Sequence, residues 1–222
     1  MKEIIPRTGR LTRRNSLLRQ EFGHLWTRMS SSLPHDRASK VGFCSGSPGE
    51  GASSIATNYA IFLAQHGVRT TLIDANMRRP SLARHFGVRL DPGLWDVLEG
   101  TVALDEVIHD QVVPCLNLIT SGDAPPDVLV GGTNFDLRPV FEQLERHNDM
   151  VVVDVPALGS SPEANLILPQ LDGTVLVVQS SRNRVCSLER TVKNLDYLRI
   201  NLLGCVLNKL RYDLPSALDK MV

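Results

Sequence analysis

The sequence predicts an α/β fold with a doubly wound, mostly parallel sheet. Six short apolar runs alternate with segments of helical periodicity along the 222 residues. The runs are continuous rather than alternating in polarity, which is typical of strands that helices cover on both faces. Polar, glycine-containing segments follow several of these runs. In such a sheet those segments meet at the carboxyl edge, where ligands bind.

The pattern assigns each element a range. Strands are expected at 41–46, 70–75, 116–122, 150–156, 173–180 and 202–209. Helices are expected at 15–31, 53–66, 94–99, 103–109, 137–147 and 186–199. Two of the cysteines, Cys44 and Cys205, lie within predicted strands, so we expect both to be small core residues.

Length and composition fit one α/β domain preceded by an arm. We predict a basic N-terminal arm with a helix and a linker over 1–39, the α/β domain over 40–212, and a short tail over 213–222. The whole chain has no formal net charge, but residues 1–40 contain nine Lys or Arg and only three Asp or Glu. Such an arm suits an acidic partner or a membrane surface, and equally a solvated terminus.

Hydropathy predicts a cytoplasmic location. No apolar run reaches the roughly 20 residues that a membrane span needs, and the N-terminus lacks the apolar stretch of a signal peptide. The four cysteines include no C-x-x-C pair, and the six histidines show no ligand spacing, which argues against a disulfide framework or a histidine metal site. The basic arm leaves peripheral contact with the inner face of the cell membrane open.

A glycine-rich turn follows the first predicted strand. The segment "SGSPGEGASS" lies between strand and helix, where a phosphate-binding loop belongs. A loop of the form G-x-x-x-x-G-K-[ST] would have lysine at residue 52, but that residue is alanine. Backbone N–H groups at the start of the helix can still hold phosphate. The predicted nucleotide-binding residues of this loop are Gly46, Gly49, Glu50, Gly51, Ala52, Ser53 and Ser54.

Two acidic residues end predicted strands at the same edge. Asp74 ends the second strand, and Asp154 ends the "VVVD" strand. We predict catalytic roles for both, and Mg²⁺ ligation by the Ser53 hydroxyl with Asp154 as its partner. Each residue alone is typical of a cap or a turn. Their joint occurrence favours a nucleotide site, with Mg-ATP or Mg-ADP as the expected cofactor.

Over about residues 18–212, the chain resembles the cytoplasmic P-loop domain of bacterial tyrosine autokinases. These are the capsule and exopolysaccharide proteins of the CpsD, CapB and Wzc type, within the MinD/ParA superfamily. The matching segments are "SGSPGEG" (Walker A), "LIDANMRRPSLARHFGV" (Walker A′), "PGLWDVLEGTVALDEVI", "LITSGDAPPD", "VVVDVPALGSSPEA" (Walker B) and "GCVLNKL". The resemblance implies a MinD/ParA-like P-loop NTPase fold, ATP-dependent tyrosine phosphorylation, and adenine contact by Asn208.

Several positions depart from the family pattern. Ala52 replaces the Walker A lysine, Ser47 the signature lysine of MinD, and Asn76 the second aspartate of Walker A′. The tyrosine-rich tail of the family has no counterpart in "YDLPSALDKMV". Other departures are Ala157 and Glu163 near Walker B, and Gly23 and Trp26 at the arginine positions of the ring-assembly helix.

The missing lysine has a physical cost. A charge-assisted hydrogen bond contributes about 1.5–3 kcal/mol, or about 10- to 150-fold in affinity, so Mg-ATP and Mg-ADP binding should be weakened rather than abolished. Phosphoryl transfer should suffer more, because it rests on positioning and electrostatic stabilisation. We expect Glu50, without an ammonium beside it, to add to the deficit. Substitution for the lysine by Arg78 and Arg79 is an alternative, but they lie on another loop, and we expect them to have a structural role common to the family.

We therefore expect a pseudokinase of polysaccharide export, which regulates a membrane polysaccharide co-polymerase from the cytoplasmic side. One alternative is an active tyrosine autokinase or ATPase of the same family that has moved its lysine. A second is a MinD/ParA-like positioning ATPase, against which the absent signature lysine argues. No nucleic-acid partner is expected. A homodimer across the nucleotide crevice remains open, whereas Gly23 and Trp26 disfavour a family-type ring.

Overall fold

The computed structural model describes residues 14–125, 135–180 and 185–209. Its strands are β1 (Ser39–Ser45), β2 (Thr70–Asp74), β3 (Ile108–Val113), β4 (Leu116–Ile119), β5 (Met150–Asp154), β6 (Gly173–Gln179) and β7 (Leu202–Asn208). Its helices are α1 (Arg14–Ser30), α2 (Ala52–Gln65), α3 (Leu82–Phe86), α4 (Leu94–Leu98), α5 (Leu104–Val107), α6 (Arg138–Leu144), α7 (Glu163–Ile167) and α8 (Val185–Tyr197). Within these ranges, every helix is too short or too polar to cross a membrane.

The strands form one sheet in the order β3-β4-β2-β5-β1-β6-β7. Every pairing is parallel except that of β3 with β4. The predicted doubly wound, mostly parallel sheet is therefore confirmed, and all six predicted strands are present. The central position of β1, between β5 and β6, brings the loop that follows it to the middle of the carboxyl edge.

The edge strand β3 was not expected from the sequence. The helix predicted at 103–109 is wrong in its second half, because α5 ends at Val107 and Ile108 already belongs to β3. The run "IHDQVV" is half-exposed and mixes polar with β-branched residues, so it lacks the continuous apolar pattern of a buried strand. Helices α3 and α7 are also unpredicted, since five residues each are too few to show a helical period.

Two apolar clusters fill the space between the sheet and its helices. On one face, α1 and α2 pack against the sheet, with the ring centroids of Phe22 and Tyr59 5.8 Å apart. The opposite face holds Trp95, Phe141 and Ile167. The helix predicted at 15–31 is thus present as α1, and its Phe22 packs against Tyr59 and Phe62 of α2. Residues 1–13 of the predicted arm and the tail 213–222 lie outside the described residues.

Strand β7 is more exposed than its apolar sequence predicts. Cys44 of β1 is buried as expected, but Cys205 of β7 is exposed, so the prediction that Cys205 is a core residue is wrong. The side chain of Leu207 is also 56% exposed. Apolar content alone does not distinguish an edge strand from a central one, and β7 lies at the end of the sheet.

Gly93, which precedes α4, lies against the backbone of the segment after β4. A Cβ at residue 93 would lie 2.2 Å from the Gly122 nitrogen and 2.7 Å from the Thr120 carbonyl oxygen. Because backbone atoms cannot move aside as a flexible side chain does, we expect Gly93→Ala to lower the free energy of unfolding by about 2–3 kcal/mol. Chemical denaturation measures this change.

Gly23→Ala in α1 is the matched control for this substitution. Among the described residues, no atom apart from the nearby backbone of α1 lies within 4 Å of the Cβ that it adds, so the better helix propensity of alanine should raise stability by up to about 1 kcal/mol. Equal effects of the two substitutions would contradict the close approach of the Gly93 and Gly122 segments.

Candidate functional site

A cavity of about 870 Å³ opens at the carboxyl edge of the sheet. Its size suits a small-molecule site. Four chain segments build its wall: the loop after β1 with the start of α2, the segment from β2 to α3, the segment after β5, and the end of β7. The predicted residues that line it are Gly49, Gly51, Ala52, Ser53, Ser54, Asn76 and Asn208. The structure therefore brings most of the predicted nucleotide residues around one cavity.

The loop between β1 and α2 has a backbone that needs glycine. Gly49 has φ +84° and Gly51, the residue before α2, has φ +103°, a left-handed region that residues with a Cβ rarely adopt. The first N–H groups of a helix have no intrahelical acceptor, and no side chain of the described residues caps those of α2. Together with the helix dipole, these groups favour an anion in the cavity.

Asp74 holds the segment that follows β2. Its Oδ1 accepts a hydrogen bond from the Asn76 N–H at 3.1 Å. Its Oδ2 accepts two more, from the Ser81 and Leu82 N–H groups, each at 3.0 Å. Both carboxylate oxygens are thus engaged by backbone, and Asp74 caps α3 while it fixes the Walker A′ segment.

Asp154 lies opposite Asp74 in the register of β5 with β2 and is 1% exposed. Neither of its carboxylate oxygens has a hydrogen-bond partner among the described residues. Burial, followed by the negative charge of Asp74, raises the pKa of Asp154 well above its usual value, and the Ser53 hydroxyl opposes this rise. Burial also raises the pKa of Asp74, against the effect of its three N–H donors.

Two neighbouring buried carboxylates require a proton or a cation between them. The orphaned carboxylate of Asp154 beside the hydroxyl of Ser53 fits Mg²⁺, which takes few protein ligands and completes its shell with phosphate and water. Among the described residues, no group of three or more His, Cys, Asp or Glu side chains is placed to hold a metal ion. The donor set thus suits a nucleotide-bound Mg²⁺ better than a dedicated metal cage.

Glu50 does not line this cavity. It is 1% exposed, and with Gly46, Leu188 and Thr191 it lines a separate small cavity against α8. Its carboxylate oxygens have no hydrogen-bond partner among the described residues, and the expectation that its charge adds to the deficit stays a prediction. The carbonyl oxygen of Glu50 instead accepts a hydrogen bond from Asn208 Nδ2 at 2.8 Å, which ties the loop to the end of β7.

Among the described residues, three cationic side chains line the cavity, and one of them was not singled out from the sequence. Arg78 donates from Nε to Glu163 Oε1 at 2.8 Å, in keeping with a structural role, and Arg79 lies beside it. The missed cation is Lys209, whose Nζ donates to the Gly49 carbonyl oxygen at 2.7 Å. Its place directly after Asn208 in "GCVLNKL" was the one available signal.

Two further polar side chains of the cavity were missed from the sequence. Ser81 and His85 both line it, and the Ser81 Oγ and His85 Nδ1 atoms are buried without a hydrogen-bond partner in the described ranges. Both belong to the segment at α3, a helix that the sequence did not reveal. Unpartnered polar atoms on a cavity wall indicate a polar ligand.

Comparison with known proteins places the chain in a family. No protein-family model matches it. The tyrosine-protein kinase CpsD of Streptococcus agalactiae is 32% identical over 162 residues, which are 72% of this chain and 71% of that protein. The chain belongs to the bacterial tyrosine-protein kinases. The putative tyrosine-protein kinase EpsB of Ralstonia solanacearum is 31% identical over 166 residues, but the chain spans only 22% of this longer family member.

Solved structures agree with this kinase family and its fold. The chimerical protein CapA2B2 has a TM-score of 0.79 at 25% identity, over 90% of this chain and 87% of that one. The septum site-determining protein MinD of Pyrococcus horikoshii, complexed with Mg-ADP, has a TM-score of 0.67 at 20% identity, over 82% of this chain and 76% of that one. The predicted MinD/ParA-like P-loop fold and the resemblance to capsule tyrosine kinases are thereby confirmed.

Because the pKa of Asp154 is raised, we expect its replacement to increase the stability of the fold by an amount that depends on pH. The pKa of Asp154 is higher in the folded protein than in the unfolded chain. Between these two pKa values the folded protein binds more protons at this site, so the free energy of unfolding falls as pH rises. We expect Asp154→Asn to raise the free energy of unfolding at pH 7 by about 1–3 kcal/mol, because it removes an unpaired buried charge. The gain should shrink near pH 4, which denaturation at both pH values would measure.

Asp196→Asn, an exposed position on α8, is the control for this experiment and should leave stability within about 0.5 kcal/mol at either pH. An Asp154→Asn variant no more stable than the native chain at pH 7 would show that the buried carboxylate carries no electrostatic cost.

Proposed function

We propose that the chain is a regulatory, weakly nucleotide-binding tyrosine-kinase domain of capsule or exopolysaccharide export. In this proposal it binds Mg-ADP or Mg-ATP with reduced affinity, transfers no measurable phosphate, and acts on a membrane polysaccharide co-polymerase at the cytoplasmic face of the membrane. The observation that carries the proposal is Ala52. It is the first residue of α2, it lines the cavity, and it presents a methyl group where the family pattern has an ammonium.

Several features support retained binding. The uncapped N-terminus of α2 offers backbone N–H groups to phosphate, and these donors do not depend on a lysine. Ser53 and Asp154 fit Mg²⁺, which when bound neutralises charge on the nucleotide phosphates. Arg78, Arg79 and Lys209 add positive charge to the wall. Loss of one charge-assisted contact lowers affinity without removing these others.

Phosphoryl transfer is expected to fall further than binding. Asn76 presents a neutral amide where the family has a second acid, so one negative partner for Mg²⁺ or the nucleophile is gone. Both carboxylate oxygens of Asp74 already accept backbone hydrogen bonds, and Asp74 does not line the cavity, so it is poorly placed to contact a nucleophile there. Transfer depends on electrostatic stabilisation of the transition state, and the chain has lost two contributors to it.

An active autokinase or ATPase of the same family is the second candidate, and one observation favours it. Lys209 presents an ammonium to the loop that lacks its own lysine. A positioning ATPase of the MinD type has less support, since its likeness at 20% identity concerns the fold. Label transfer from ATP therefore separates the first two candidates.

The site proposal is tested with Ala52→Lys. We expect this variant to bind Mg-ADP and Mg-ATP about 10- to 150-fold more tightly than the native chain, because it restores a charge-assisted phosphate contact. Titration calorimetry measures both affinities, and incubation with γ-labelled ATP measures transfer, which the native chain should lack.

Ala103→Lys, an exposed alanine outside the cavity wall, is the matched control and should bind as the native chain does. Native affinity equal to that of Ala52→Lys, or label transferred by the native chain, would overturn the proposed impairment. Co-sedimentation of the chain with membranes that contain the co-polymerase, compared with membranes that lack it, tests the proposed partner.

A further inference from the structure

We propose that Lys209 supplies a cationic contact to the nucleotide phosphates that replaces in part the one that residue 52 lacks. The inference rests on the nucleotide site proposed above and adds a residue to it. The relatives' lysine belongs to the first turn of the helix after the loop. In this chain the ammonium would instead come from the opposite wall, at the end of β7.

The position of Lys209 brings its side chain across the loop. Its Nζ donates to the Gly49 carbonyl oxygen at 2.7 Å and to Gln179 Oε1 at 3.2 Å. A Cβ built on Gly51 would lie 4.0 Å from Lys209 Cε. The ammonium therefore lies beside the residues that lead into α2, and Lys209 lines the same cavity as Ser53.

The backbone of Lys209 is held in a conformation that costs energy. Its φ is +55°, a left-handed value that lysine rarely adopts because of its Cβ. Asn208 fixes this turn. Its Oδ1 accepts a hydrogen bond from the Lys209 N–H at 2.8 Å, while its Nδ2 donates to the Glu50 carbonyl oxygen at 2.8 Å. One amide thus holds both the loop and the turn that directs Lys209 towards it.

Electrostatics indicate an anion as the missing component. The N-terminus of α2 is the positive end of a helix dipole, so a cation beside it is unfavourable unless negative charge lies between them. Among the described residues, Lys209 Nζ contacts two neutral oxygens, those of the Gly49 carbonyl and the Gln179 side chain. Glu50 lines the small cavity against α8 and not the main cavity. A phosphate group on the loop N–H groups would satisfy the helix and the ammonium together.

Lys209→Asn is the direct test, because asparagine removes the charge and tolerates a left-handed backbone. We expect it to weaken binding of Mg-ADP at least about 10-fold, the effect of one charge-assisted contact. Binding of magnesium pyrophosphate should fall by a similar factor, since that probe reports phosphate contacts alone. Lys209→Arg should keep most of the native affinity.

The matched control is Lys193→Asn, at an exposed position on α8, which should bind as the native chain does. Lys209→Gly addresses folding, because glycine accepts φ +55° without strain and should leave the protein at least as stable. If this variant loses Mg-ADP binding while its melting temperature is unchanged or higher, the loss comes from the missing lysine contact with phosphate and not from unfolding.

Ala52→Lys in the Lys209→Asn background gives the decisive comparison. If the two lysines serve the same phosphates, Ala52→Lys should raise affinity by a larger factor in that background than in the native chain. Native Mg-ADP binding that Lys209→Asn leaves unchanged would overturn the role of Lys209 and leave the proposed site intact. A native chain that binds no Mg-ADP at millimolar concentration would overturn both.

Discussion

The register between β2 and β5 is the constraint on which the site depends. It sets Asp74 directly opposite Asp154, so that two carboxylates are buried side by side at the ends of neighbouring strands. Backbone N–H groups compensate Asp74 and, in doing so, fix the segment that carries Asn76 and Arg78. Asp154 has no such partners among the described residues. The sheet thus creates a demand for positive charge that only a proton or a bound cation can meet.

The same constraint explains why residues at this edge of the sheet could be located from the sequence. Buried parallel strands appear as continuous apolar runs, and a polar residue that ends such a run must lie at the carboxyl edge. Asp74, Asp154 and the glycine loop were found in this way. The direction of a loop side chain was harder to infer, because a residue pattern does not say which cavity Glu50 lines, and it lines the small one against α8.

Elements at the margin of the sheet were predicted least well. β3 is short and half-exposed, so it carries no continuous apolar signal, and α3 and α7 are shorter than the window in which periodicity can be read. Cys205 was expected in the core because its run is apolar, yet an edge strand has fewer neighbours to cover it. Lys209 was missed for a related reason, since it follows a strand whose place in the sheet depends on pairing that only the fold shows.

A cation borne on β7 differs physically from one borne on α2. A lysine in the first turn of α2 would move with the loop, because helix and loop are one continuous segment. Lys209 reaches the loop from a strand that pairs with β6 and lies at the edge of the sheet. Its contact therefore couples the phosphate loop to the sheet edge through Asn208 and the Glu50 carbonyl group. On the proposal above, binding energy from the Lys209 contact stabilises the bound nucleotide but not the transition state of phosphoryl transfer. Such a contact supports nucleotide binding without supporting phosphate transfer.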